Sequence, residues 1–201
     1  MTPTLRKKKS LFFFLLTFVI IFLGLLIAYE CLKRLSMLSL QRKLRLNMFV
    51  LFLSSIYAHY YGWWGLIQYL NEQYWYQWYH QIFFSVTELL STVIVVHLCD
   101  KDVKIQPWQL LIICSLNFMH IIIGGLDQFV ENVINGNGQV FEMVRDFGLM
   151  IPDLFHVLFC YFEARILADS KNLSIWKLFY KEELMAAAVF ISLFTILGKN
   201  M

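Results

Sequence analysis

Apolar residues in this chain gather into six runs instead of alternating along it: 11–29, 48–70, 82–98, 108–126, 147–167 and 184–197. The first five approach the ~20 residues with which an α-helix crosses a hydrocarbon core. The last is shorter and predicts either a short span or a half-inserted helix. Leu126, Phe129, Val130, Val133 and Ile134 recur at helical spacing on one face. Asn135-Gly136-Asn137-Gly138 then breaks that face. The pattern predicts an all-α polytopic transmembrane bundle of five or six spans with a short interfacial helix. The segments between runs are too short for a separate soluble domain, so residues 1–201 read as one integral membrane domain.

Composition locates the chain in the same class. It is 59% hydrophobic and 15% charged, with a mean hydropathy of +0.61. A soluble domain is about half apolar and about one-quarter charged. The first run follows Arg6, Lys7, Lys8 and Lys9. It is longer than a signal-peptide core and lacks a small-residue cleavage pattern, which predicts a retained helix or signal anchor. Cys31, Cys99, Cys114 and Cys160 lie in or beside apolar runs without paired spacing, so they give neither a disulfide framework nor a zinc knuckle.

Charge adds orientation. The net charge is +3, but lysines and arginines flank the runs. No glycine-rich phosphate loop and no aromatic-basic motif accompanies them, so nucleic acid is excluded as a partner and the lipid bilayer and other membrane proteins are expected. With alternating spans, the basic linkers 30–47, 99–107 and 165–183 share one side. The positive-inside rule makes that side cytosolic, in the plasma membrane or an endomembrane. The leucines of linker 30–47 could lay it on a lipid surface. The linkers 71–81 and 127–146 share the other side, where tyrosine and tryptophan crowd between Tyr57 and Tyr79 in the manner of an interfacial belt. Six spans place Arg6 to Lys9 on this second side, against the same rule. The sequon Asn172-Leu173-Ser174 falls in a linker read as cytosolic.

Candidate chemistry lies inside the runs. Glu88, His120 and Asp153 each sit about six residues from the aromatic end of their run, or about 9 Å deep at 1.5 Å per residue. Asn117 and His156 lie about one turn deeper, as does His59. Ionisable residues in spans face a bundle interior or a wet cavity. Glu88, Asn117, His120, Asp153 and His156 are therefore the candidates for ligand or proton binding. Pro152 removes a backbone donor beside Asp153. Glu163 lies near the basic end of its run, with Arg165 beside it, and His80 and His97 read as wet or interfacial.

Three readings fit this layer. In the first, a non-catalytic polar seam organises the bundle or holds a small ligand or partner helix. In the second, a proton- or cation-coupled carrier or channel subunit uses a buried carboxylate. The third is a metal-dependent membrane hydrolase with His120, His156 and Asp153 as ligands. Asp153-x-x-His156 is no metal signature by itself, and no nucleophile motif or cofactor motif is present, so the first reading is the expectation.

Overall fold

The computed structural model describes residues 3–200, without the side chains of residues 3–10, 126, 127, 199 and 200. The side chains of Arg6 to Lys9, and of Leu126 on the predicted amphipathic face, lie outside the described residues. Among the described residues every regular element is a helix: α1 (Pro3–Leu40), α2 (Leu46–Glu72), α3 (Trp75–Leu98), α4 (Pro107–His120), α5 (Val140–Ser170), α6 (Ile175–Leu178) and α7 (Lys181–Asn200). Among the described residues, four helical stretches are long and apolar enough to cross a membrane: Leu11–Leu40, Trp75–Leu98, Pro107–Gly125 and Val140–Ser170.

Element boundaries depart from the apolar runs for local reasons. Helix α1 continues through Lys33 and Arg34 to Leu40, because no glycine or proline interrupts a stretch rich in Leu, Lys, Arg and Met. Much of the basic linker 30–47 is therefore helix. Helix α3 begins at Trp75, seven residues before its apolar run, and left-handed Gln73 (φ 61°) closes the preceding turn. The helix α4 and the predicted interfacial helix are one continuous element: the coil widens to π winding over Ile121–Ile134. Asn-Gly-Asn-Gly then ends it, with Gly136 at φ 70°. Helix α5 starts directly afterwards at a capping box in which the Glu142 carboxylate accepts from the Gln139 backbone N–H at 2.8 Å. It runs unbroken through Pro152.

The three basic linkers meet at one end. The Lys101 N–H donates to the Lys43 carbonyl (2.9 Å) and the Arg45 N–H to the Cys99 carbonyl (2.7 Å). The Arg45 guanidinium donates to the carbonyls of Leu98 (2.5 Å) and Val103 (2.8 Å). Leu38, Met48, Leu98, Ala168 and Leu178 join one apolar cluster there, which brings in the third linker. Linkers 71–81 and 127–146 lie at the opposite end. Helix α1 lies against α2: the Thr17 hydroxyl donates to Asn71 (3.1 Å), and Phe13 packs on Trp75 with centroids 5.6 Å apart. The start of α1 is thus at the aromatic end. Helix α7 returns from the basic end and stacks Phe194 on Phe83.

The outward faces are apolar. Phe14, Phe18 and Leu25 of α1, Val86 and Val93 of α3, Leu158 and Phe162 of α5, and Val189 and Ile196 of α7 are all exposed. The ionisable residues Glu88, His120, Asp146, Asp153 and His156 are buried instead. Exposed apolar surface of this extent marks contact with lipid or another apolar partner.

Candidate functional site

Helices α3, α4 and α5 each aim one ionisable side chain at the same point. His120, the last α-wound residue of α4, sits with Nδ1 at 3.5 Å from Glu88 Oε2 on α3 and 3.5 Å from Asp153 Oδ1 on α5. Exposure of the three residues is 8% for Glu88, 5% for His120 and 9% for Asp153. Their potential ligand atoms all lie within 4.8 Å of one another, a set able to hold a metal ion.

Thr87 indicates that the Nε2 of His120 carries hydrogen. Its Oγ1 lies 2.8 Å from the Phe83 carbonyl and 2.7 Å from His120 Nε2. A hydroxyl has one proton, and threonine inside a helix commonly gives it to the carbonyl one turn back. Oγ1 then accepts from Nε2–H, and we assign the tautomer on that basis. Nδ1 is left facing the two carboxylates. Phe84 packs on the ring with centroids 5.0 Å apart and limits its rotation.

This cluster forms the floor of a cavity of about 550 Å³. The walls rise past Ser85, Gln81 and Phe84 of α3, Gly62 and Trp63 of α2, and Met150 of α5. The exposed residues Tyr76, Gln77 and Gln128 also line it, so it reaches the surface at the aromatic end. Arg145 and Asp146 stand in the upper wall with Nε–Oδ1 at 2.6 Å, and Asn132 donates to Asp146 at 2.7 Å.

Asn117 and His156 lie outside this cavity lining. Asn117 is 1% exposed and donates to Ser91 Oγ (2.9 Å) and the Ile113 carbonyl (2.7 Å). His156 places Nδ1 at 2.8 Å from the Pro152 carbonyl, to which it donates, and Nε2 at 3.4 Å from Ser55 Oγ. His59, in contrast, lines the cavity and meets Thr92 at 2.7 Å. Below them Met48, Leu51, Val95, Leu98 and Ile113 are fully buried and pack the basic half of the bundle.

The structure thus divides the five candidates. Glu88, His120 and Asp153 converge on the cavity, while Asn117 and His156 form separate hydrogen-bonded pairs beneath it. The three-ligand set drawn from sequence, His120, His156 and Asp153, has Glu88 in the place of His156, because His156 is turned toward α2. Glu163 accepts from Asn47 (3.0 Å). His97 is exposed and lies 3.4 Å from Arg34. His80, read as wet, stacks on Phe84 and lines the cavity. Thr87, Arg145 and Asp146 were missed. Thr87 shares the helix face of Glu88 and Ser91 and could have been found; nothing in the sequence brings Arg145 into the cavity wall.

Among curated proteins none matches this chain, and among solved structures none matches either. A family model does match, over residues 9–201, and its description is "Family of unknown function (DUF8801)". Since the match covers nearly the whole chain, the protein belongs to that family.

Proposed function

We propose that this chain is a six-span, non-catalytic integral membrane protein whose interior cavity takes a small polar ligand from the aromatic side. Four stretches meet the length and hydropathy expected of spans. We count α2 and α7 as the other two. Helix α2 is made less apolar by its Tyr, Trp and His side chains, yet it runs beside α3 between the same two ends. Its buried Met48 joins the basic-end cluster with Leu98, and its last turn meets the start of α3 at the aromatic end. Helix α7 has 20 residues, about 30 Å of rise. The exposed apolar faces supply the lipid contact, and the basic linkers favour the cytosolic side.

One observation carries the ligand reading: the cavity ends on three inward ionisable groups. A seam that merely joins helices needs no cavity, whereas one turn lower Asn117 bonds Ser91 directly from helix to helix. The apolar packing beneath favours a holding site over a through-channel. The test is thiol access in lipid nanodiscs, where both faces meet water. Ser85→Cys, on the cavity wall, is expected to react with a water-soluble methanethiosulfonate. Ser91→Cys, buried beneath the floor, is expected to stay inert. Inertness at both positions would refute the reading.

A further inference from the structure

We propose that Glu88, His120 Nδ1 and Asp153 form a site for one divalent first-row transition ion, of the Zn²⁺ or Mn²⁺ class, at the cavity floor. The inference rests on the cavity reading and names what its floor holds. Thr87 fixes hydrogen on Nε2, so Nδ1 is the nitrogen able to lend a lone pair to an ion, and it faces two carboxylate oxygens. Three acceptors converging in a site this buried need a positive species among them.

Distance distinguishes a metal ion from a proton. Charge-assisted hydrogen bonds close to about 2.7–2.9 Å. Both Nδ1–O separations are 3.5 Å. A tetrahedral ion with bonds of about 2.0–2.1 Å to nitrogen and oxygen separates its ligands by about 3.3–3.4 Å. Both nitrogen–oxygen separations lie close to that edge and are too long for a charge-assisted hydrogen bond, and the three ligand atoms together lie within 4.8 Å. One proton on the imidazole would leave the trio with net charge −1. A dication with two carboxylates and a neutral imidazole sums to zero, as does a second proton on one carboxyl, so charge permits the ion and spacing favours it.

The ligand set also narrows the ion. A single imidazole with two carboxylates suits Zn²⁺ or Mn²⁺, and the absence of thiolate disfavours softer ions. Thr87 plays the orienting part that the outer hydrogen bond of a ligating histidine usually plays. Three protein ligands leave one position open. It faces the cavity, where water or a donor atom of an entering ligand completes the shell.

The experiment uses the full chain in nanodiscs, stripped with chelator, dialysed against Zn²⁺ or Mn²⁺, and analysed for bound metal. One ion per chain is expected. The double variant Glu88→Gln/Asp153→Asn should retain none, and His97→Ala, remote from the cavity, should retain it. Metal retained equally by the double variant would overturn the proposal, as would a wild-type chain that takes up none. X-ray absorption on the wild type removes dependence on any variant's folding: it should show nitrogen and oxygen neighbours, and sulfur neighbours would overturn the site. Absence of metal with a reactive Ser85→Cys would end this proposal alone; absence of both would end the cavity reading as well.

Discussion

Thr87→Val tests the floor of the cavity without touching a carboxylate or the imidazole. Valine keeps the branched shape of threonine and opens almost no void, so the loss is confined to one hydroxyl. In the wild type that hydroxyl accepts from His120 Nε2 at 2.7 Å and donates to the Phe83 carbonyl at 2.8 Å. The carbonyl keeps its helical N–H partner, whereas Nε2–H is stranded in a residue only 5% exposed. A buried donor left without a partner costs about 1–3 kcal/mol. In a chain of about 200 residues each kcal/mol moves Tm by roughly 2–4 °C, so the expected drop is about 2–12 °C. The freed ring also loses its orientation, and affinity for Zn²⁺ should fall about 10–100-fold. Tryptophan fluorescence melts and equilibrium dialysis read the two effects. Thr87→Ser, which keeps the hydroxyl, should restore both. If Thr87→Val melts and binds metal as the wild type does, the assignment of the His120 tautomer is wrong.

Other positions give independent tests. A side chain at Gly148 would meet the ring of Tyr57, so Gly148→Ala should cost about 1–3 kcal/mol in a melt. Tyr57→Ala should then recover part of that loss in the double variant. At the aromatic end, Asn137 and Asn135 donate to the Glu131 carboxylate (2.6 and 3.0 Å) and hold its pKa below the ordinary value. A lowered folded pKa stabilises above the unfolded value and loses that effect as pH falls through the folded one. Amide protection around Asn135–Gly138, taken relative to the unstructured exchange rate at each pH, should accordingly fall as pH drops below about 4.3, and Glu131→Gln should remove that fall. Asn172, exposed and left-handed at φ 53°, should carry no glycan when expressed in a secretory-pathway host, because its linker is assigned to the cytosol. Glycan on Asn172 would reverse the orientation.

Much of the architecture is visible in the run pattern because a span must be apolar over a fixed length. The same constraint exposes Glu88, His120 and Asp153, since charge inside such runs has to face inward, and equal depth on three helices places them in one layer. Rotation about each helix axis is what the pattern leaves open. His156 lies one turn from Asp153, but its Nδ1 turns back to the Pro152 carbonyl and its Nε2 toward Ser55, so it leaves the trio. Arg145 and Asp146 precede the apolar run and read as linker; they join the wall only because α5 begins early, at Val140. The π winding from Ile121 to Ile134 has no signature in residue type. It is a matter of backbone hydrogen-bond register, and it joins the fourth run and the predicted interfacial helix into one continuous element.

The central claim is that three helices deliver ionisable side chains to a floor reached from one side of the membrane. Sided labelling along α3 in sealed vesicles tests it most directly. A membrane-impermeant thiol reagent should modify Gln81→Cys and Ser85→Cys from the aromatic side and leave Ser91→Cys and Val95→Cys unmodified from either side. Modification of Ser85→Cys from the basic side, or of Ser91→Cys from any side, would contradict the account.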